Sequence, residues 1–375
     1  MSKALKIIVG VIIILLVIVF VSNKSQDKGI IKIGVSTILS GDWAALGQNI
    51  VNTSKLAVEE INSKGGIDGK MLELVVEDAG LDSKTGLSAT QKLVNIDKVK
   101  YIIGGTSSNG TLASAPIVNQ SQVVYMTPVT GGSNIDNAGE YVFRTANSDL
   151  LAGRDLANAV AKLGYKKIAT VTEVTEYTMD IKKSFEQTLL GKGIQVISSE
   201  EFQPDTIDFR TIVAKVKSAQ PDAILILSQT GIGGAQFVRQ AKEAGVNAQL
   251  FSDFTFISNS DVKKLLLSLD GIYFADPAYD VNSVESKDFF KRYEETYKMP
   301  SQIPFHSAST YDSVMMIATA IREVGDDSDE VHDWLLKNVK NHRGLMGTYS
   351  LDEKGNSDLG FIIKQVKGNE FIEVK

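Results

Sequence analysis

The sequence predicts an α/β chain folded as two doubly wound lobes, and three observations predict it. From residue 30 onward, short β-branched runs alternate with runs of helical period. That rhythm occurs once in the first half of the chain and again in the second, as two parallel sheets with helices on both faces require. The strand runs also open repeatedly into polar, Gly-rich or aromatic loops, where ligands sit in such sheets. At 375 residues, 43% hydrophobic and 22% charged, the chain has material for two packed domains rather than disorder.

Taken in order, "IIKIGVSTIL" (30–39) is a buried-type strand ending at Ser40-Gly41. The helix after it buries Ile50, Ala57, Val58 and Ile61, and Gly65-Gly66 stop it. "GIDGK" is a turn and "MLELVVEDA" (71–79) the next strand. A helix near 83–95 sets Leu87, Thr90, Gln91 and Val94 at helical spacing. "VKYIIGG" is a third strand and "VVYMTP" (123–128) a fourth.

The second half opens with the strand "KKIATVTE" (166–173), a helix near 178–191 and Gly193. "IQVISSEEF" is a strand, "DFRTIVAKVKSAQP" a helix and "DAILILSQTG" (222–231) a strand. The helix "GAQFVRQAKEAG", the short strand "QLFSDF" and the strand "DGIYFADPAY" follow. Two helices are predicted around 285–298 and 306–324. The tail from "MGTYS" to "FIEVK" has hairpin character, with "DEKGN" as the turn. The predicted strand-end loops are 40–47, 104–111, 127–133, 173–178, 228–234 and 252–256.

The first segment differs from all of this. "KIIVGVIIILLVIVFVSNK" carries no charge between Lys6 and Lys24, at the short end of a membrane span. Lys3 and Lys6 precede it, and no small-x-small cleavage site follows. It reads as an uncleaved signal-anchor rather than a cleaved signal peptide, with residues 1–29 as transmembrane helix and linker. The body beyond is expected at the extracytoplasmic face of the membrane.

Composition excludes several functions. A net charge of −6 argues against a nucleic-acid partner. Without cysteine there is no thiolate nucleophile, iron–sulfur cluster or disulfide. His306, His332 and His342 show no metal-ligand spacing, so no metal or cofactor is expected.

Two stretches approach catalytic or cofactor motifs and miss. "GTSSN" (105–109) has Asn109 where a nucleophile elbow needs glycine. "TGIGGAQF" (230–237) resembles a dinucleotide loop, but Gln236 replaces the third glycine. The adjacent acidic pairs, such as Glu59-Glu60, do not face one another on a helix. No enzymatic activity is therefore expected.

The loops match something else. The stretches "IKIGVSTILSGDWAALGQNIVNTSKLAVEEINSKGGIDGKMLELVVEDAGLDS", "YIIGGTSSNGTLASAPIVNQSQVVYMTPVT" and "YVFRTANSD" carry the likeness, joined by "STYDSVMMIATAI" and "MGTYSLDEKGNSDLGF". In order and spacing the chain resembles the leucine/isoleucine/valine-binding protein family, the extracytoplasmic solute-binding proteins of ABC importers. The resemblance implies the type I periplasmic-binding fold: two Rossmann-like lobes with three crossovers, here 30–144 with 277–345 and 145–276 with 346–375. It implies an amino acid, branched or apolar, bound between closing lobes and delivered to a membrane permease. The alternative on the same fold is a sensing receptor for amides or organic acids.

Residue by residue, the family's ligand serine matches Ser108, with Ser107 and Asn109 beside it. Its second carboxylate-binding segment matches "TPVTGG", where Val129 offers backbone and Thr130 a hydroxyl, and the usual threonine reads Gly131. The first-loop aromatic matches Leu46, with Trp43 three residues earlier. The second-lobe tyrosine matches Tyr177, and a further aromatic position reads Thr230. The ammonium-binding glutamate aligns with Phe254, with Asp253 next to it. If Asp253 faces the cleft the ligand carries an ammonium; if Phe254 does, amides and organic acids come into play.

Overall fold

The computed structural model describes residues 29–259, 262 and 269–374. The predicted signal-anchor lies outside the described residues, among which no helix is long and apolar enough to cross a membrane.

The first sheet holds β1 (Ile30–Thr37), β2 (Met71–Asp78), β3 (Tyr101–Gly104), β4 (Val124–Thr127) and β5 (Val142–Arg144). Its order is β2-β1-β3-β4-β5, and every neighbouring pair is parallel. Parallel pairing needs crossover helices, which α1 (Ala44–Ser63), α2 (Ser83–Asn95) and α3 (Ser108–Gln120) provide. The chain leaves β1 for one side and returns to β3 on the other. The crevice of this sheet therefore opens between the loops that follow β1 and β3.

The second sheet repeats that reversal. Its strands are β6 (Lys167–Glu173), β7 (Gln195–Phe202), β8 (Ala223–Leu227), β9 (Gln249–Asp253) and β10 (Tyr273–Pro277). Their order is β10-β9-β8-β6-β7, so the reversal falls between β6 and β8. Helices α4 (Asp149–Lys162), α5 (Glu176–Leu190), α6 (Arg210–Ala219), α7 (Ile232–Glu243) and the short α8 (Phe254–Ser258) accompany them.

Three later helices, α9 (Val284–Tyr297), α10 (Pro304–Val324) and α11 (Ser328–Asn338), return to the first sheet. Their Phe289, Phe305, Ile317 and Leu335 join Ile33, Val35 and Ile103 in one buried cluster. A small hairpin, β11 (His342–Gly344) with β12 (Gly347–Tyr349), follows. Asp312, inside α10, holds it by accepting the Leu345 and Met346 N–H at 2.8 and 3.0 Å. Finally β13 (Phe361–Lys367) and β14 (Glu370–Glu373) extend the second sheet antiparallel to β10.

The chain thus passes between the sheets three times, and the three passes run side by side. Arg144 N donates to Gly355 O at 2.9 Å and Ser357 N to Arg144 O at 2.8 Å. Ala278 N donates to Gly360 O at 3.0 Å. Beside this seam, buried Asp276 and half-buried Lys364 form an ion pair at 2.5 Å.

The structure departs from the sequence reading in five places. Gln91 is exposed, and the buried face of α2 is Gly86, Ala89, Thr90, Leu93 and Val94. Leu93 is drawn in because it packs over Gly34 of β1. Helices α4 and α11 and strand β5 were not foreseen from the sequence. "DEKGN" does turn the chain, but only isolated bridges flank it, and the terminal hairpin turns between Lys367 and Glu370.

The buried face of α4 is largely Ala and Gly, which gives little hydrophobic contrast. Its closeness to α5 depends on Gly153, where a Cβ would lie 2.2 Å from Ile181 O and 2.8 Å from Phe185 N. Backbone cannot yield as a side-chain tip does. Gly153→Ala is expected to cost about 1–3 kcal/mol of stability by overpacking, read as a lower urea midpoint with an unchanged slope.

Candidate functional site

The first-sheet half of the site is shaped by tight backbone packing. Leu39 N donates to Asp78 Oδ1 at 3.0 Å, so the end of β2 holds the loop after β1. A Cβ on Gly47 would stand 1.6 Å from Ile38 O, so the start of α1 lies directly on that loop. This places Trp43, 40% exposed, and half-buried Leu46 over the sheet edge.

After β3 the chain turns at Gly105, whose φ is +80°. A Cβ there would lie 2.6 Å from the hydroxyls of both Thr111 and Thr127, so the turn needs glycine twice over. Ser107 is then the N-cap of α3. Its hydroxyl accepts from Gly110 N at 3.1 Å and donates to Leu81 O at 3.0 Å. Ser108, the first residue of α3, is half-buried, and its Oγ would be 2.7 Å from a Cβ on Gly132. Asn109 is exposed, and its carbonyl accepts from Ser83 Oγ at 3.4 Å. Of the three predicted donors, Ser107 is spent on its helix, whereas Ser108 keeps its hydroxyl toward the neighbouring loop.

The loop after β4 is the second wall. His306 is neutral, because burial pulls its pKa down to about 4. Pro128 O can only accept, so the ring donates Nδ1–H to it at 3.2 Å. Val129 is half-buried on the first core. Thr130 departs from expectation. It is 4% exposed and its hydroxyl pairs with that of Thr127, which also accepts the Thr130 N–H at 3.3 Å. That hydroxyl is turned into the protein. Gly131 is buried and its carbonyl accepts from Asp149 N at 2.8 Å.

The second-sheet half is acidic. Glu173, the last residue of β6, is fully buried. Its Oε2 accepts from Ser228 Oγ at 2.7 Å, Thr230 N at 3.1 Å and Thr230 Oγ1 at 3.0 Å. Thr230 is therefore committed to Glu173 and is not a free side-chain donor. Tyr177, in the first turn of α5, accepts from Thr255 Oγ1 at 2.9 Å. Burial, then the charges of Asp253 and Asp149, push its phenol well above the ordinary range.

Asp253 closes β9 and caps α8, with Oδ1 accepting Phe256 N at 2.9 Å. Its side chain is 1% exposed; Oδ2 makes no close hydrogen bond among the described residues, while the Thr255 N–H and the Tyr177 hydroxyl also act on the carboxyl and favour its charged form. Burial raises this carboxyl to about 7, and the charge of Glu173 adds to the rise. Phe254 is half-buried at the start of α8. Of this pair, Asp253 is the residue buried beside Tyr177.

The two halves meet at one rim. Ser133 N donates to Asp180 Oδ2 at 2.7 Å, and Asn134 Nδ2 to Glu176 Oε1 at 3.1 Å. The first-sheet loops thus carry hydroxyl and backbone donors and the second-sheet half carries carboxylates, with these two contacts joining them. Among the described residues no group of His, Cys, Asp or Glu could hold a metal ion.

Comparison with known proteins fits this geometry. A model of the periplasmic binding protein family matches residues 30–367. The chain belongs to that family. It is 26% identical over 345 residues to the leucine-, isoleucine-, valine-, threonine- and alanine-binding protein of Pseudomonas aeruginosa, covering 89% of each chain. With the Leu/Ile/Val-binding protein of Escherichia coli the identity is 25% over 331 residues, covering 87% of this chain and 88% of that one. Among solved structures it is similar to the branched-chain amino acid transporter substrate binding protein of Streptococcus pneumoniae in complex with isoleucine. There the TM-score is 0.79 and the identity 26%, covering 92% of this chain and 99% of that chain. The same fold, at a TM-score of 0.81 and 21% identity, occurs in a Rhodopseudomonas palustris solute binding protein in complex with p-hydroxybenzoic acid, covering 92% and 96%.

As a periplasmic binding protein the chain carries three features the sequence did not point to. Asp149 follows a crossover, in a segment not recognised as helix. Glu173 opens the predicted strand-end loop 173–178 but was not singled out within it. His306 acts through the Pro128 carbonyl, a contact 178 residues distant in sequence. The first two stand at the start of a helix and the end of a strand, where site residues of such sheets belong.

The neighbouring serines are expected to separate by mutation. Ser107→Ala should cost about 1 kcal/mol of stability, as lost N-caps do, with ligand affinity little changed. Ser108→Ala should leave the melting temperature unchanged and weaken ligand binding. Thermal melts and titration calorimetry on both variants check the pair.

Proposed function

We propose that the protein is the extracytoplasmic solute-binding protein of an ABC importer and takes an α-amino acid, branched or apolar, between its lobes. The observation that carries this reading is the buried carboxyl of Asp253 beside Tyr177 on the second sheet, with Ser108 at the helix start after β3 on the first. A zwitterion matches both walls. Its carboxylate is met by neutral donors that cost no countercharge, and its ammonium meets an acid that otherwise lies unpaired. Trp43, Leu46 and Tyr177 supply the apolar surface for the side chain. The relatives named for leucine, isoleucine and valine support the same ligand class.

The lobes serving this function are 30–144 with 277–345 and 145–276 with 346–375, with the stretch around Leu351 and Leu359 packing back on the first core. They close around the three adjoining passes as a hinged clamp and present the solute to a membrane permease. The apolar segment between Lys6 and Lys24 tethers the protein to the membrane.

A thermal-shift screen of the free amino acids, amides and short organic acids tests this. A ligand at a hundred times its Kd should stabilise by about 2.7 kcal/mol; silence from every amino acid sinks the reading. Asp253→Asn should weaken amino-acid binding by about 2–5 kcal/mol, the cost of removing one partner of a buried charge pair.

The pH dependence has opposite signs for stability and binding. Folding raises Asp253 from its ordinary 3.8 to about 7. Its contribution to ligand-free stability is full below the ordinary carboxylate range and is lost as pH rises through 7. Binding an ammonium needs the ionised form, so affinity should rise between pH 6 and 8 with proton release. Calorimetry in buffers of different ionisation enthalpy measures that release; a proton uptake on binding contradicts the assignment.

A further inference from the structure

The second-sheet half of the site is built from the loops after β6, β8 and β9, and one buried acid ties them together. Glu173 ends β6 and is fully buried. Its carbonyl accepts from Thr175 N at 3.0 Å and from the Thr178 hydroxyl, which sets the first turn of α5 and with it Tyr177. Its side chain crosses to the loop after β8. There Oε2 takes three donors, the Ser228 and Thr230 hydroxyls and the Thr230 N–H. Ser228 Oγ in turn accepts Gly234 N at 3.2 Å, in the first turn of α7.

The loop after β8 passes this constraint on. Thr230 O accepts from Asn259 Nδ2 at 2.8 Å, just beyond α8. Between them Gly231 has φ +78°, and a Cβ there would stand 2.5 Å from Asn259 Cγ. The third loop closes on the first where Thr255 Oγ1 donates to the Tyr177 hydroxyl at 2.9 Å. The three loops are thus linked in a ring, and Asp253 caps α8 on that ring.

All three groups on Glu173 Oε2 are donors, so an amide oxygen could hold them equally well. The chain instead keeps a carboxylate there, with Oε1 buried and without a hydrogen-bond partner among the described residues. A buried charge of that kind costs stability, and it acts on Asp253. Burial raises the Asp253 carboxyl, and the charge of Glu173 adds to the rise. Tyr177 from α5 and Asp149 from α4 act on the same group, the Asp149 carboxylate filling the space over Gly131.

We propose that Glu173 is a positioning residue: without touching the ligand it holds the loops of Tyr177, Thr230 and Asp253 in the arrangement that receives an amino acid, and its charge acts on Asp253. The inference rests on the amino-acid reading above and deepens it. Two contributions separate by chemistry. The hydrogen bonds need only an oxygen at Oε2, whereas the influence on Asp253 needs the charge.

The test is titration calorimetry of the full-length protein with L-leucine at about pH 6 and about pH 8, on wild type, Glu173→Gln and Glu173→Ala. An Asp253 carboxyl at about 7 makes the wild-type affinity about tenfold higher at the upper pH. Glu173→Gln keeps an oxygen for the three donors and removes the charge, so that ratio should fall to about threefold or less. Glu173→Ala should lower the ratio in the same way and also raise the Kd at the upper pH about tenfold over Glu173→Gln, because the loop after β8 loses its acceptor. Lower melting temperatures with an unmoved pH ratio mark a purely structural role and overturn the proposal. So does a Kd for Glu173→Ala within about twofold of that for Glu173→Gln. Should Glu173→Ala not fold, Thr230→Val replaces it, removing one donor and leaving the charge. It should raise the leucine Kd about threefold or more with the pH ratio kept, and a Kd within about twofold of wild type overturns the proposal. Failure of Glu173→Gln to fold also marks a structural role and overturns it. A wild type that binds no amino acid, or binds L-leucine without the rise in affinity, overturns the parent reading and this one together, and is told apart because the failure precedes any substitution.

Discussion

Burying a carboxyl group without a cation is the constraint on which the cleft depends. Asp149 and Asp253 are both nearly inaccessible, and an ionised carboxylate in such a place costs far more than a neutral polar group. The fold answers that cost only in part. Asp253 accepts one backbone N–H at the start of α8, and Asp149 sits at the N-terminal end of α4, where the helix dipole favours negative charge. Glu173 is better served on one side only, with three donors on Oε2 and none on its buried Oε1. The remaining cost pushes both acids toward their protonated forms.

The rest of the architecture brings donors to face these acids. Each sheet reverses its strand order once, between β1 and β3 and between β6 and β8. Each reversal opens a crevice at the carboxyl ends of the strands, and the chain's three passes set those crevices opposite one another. A ligand with a negative end and a positive end then gains fully only when both walls reach it. That difference in affinity between open and closed forms is what can drive closure. The contacts from Ser133 and Asn134 to Asp180 and Glu176 already join the walls at one rim.

How legible each part was in the sequence follows from how local its cause is. The strand runs and most helices appear at their expected places, because β-branched runs and helical periods are properties of neighbouring residues. Helix α4 escaped because its buried face is largely Ala and Gly, shaped for close approach to α5 rather than for hydrophobic contrast. Asp149 escaped with it. At the opening loop the glycine turn was legible, but the division of labour between Ser107 and Ser108 was not. A serine that caps a helix and a serine that leaves its hydroxyl free differ only in backbone geometry. Thr130 and Thr230 carry hydroxyls in the expected loops, yet Thr127 and Glu173 engage them, and no pattern along the chain announces those partners.

By itself the sequence determined the class of the molecule: alternating strands and helices, two lobes, loops at the strand ends, and a family likeness carried by order and spacing. It also left Asp253 and Phe254 as an open pair. Tertiary structure decided which of the two is buried beside Tyr177, which hydroxyls remain free, and that Asp149 reaches over Gly131. The reason is physical. Periodicity reports which face of an element is buried, whereas a carboxyl's solvation and partners are set by separate elements that meet only when the chain has folded.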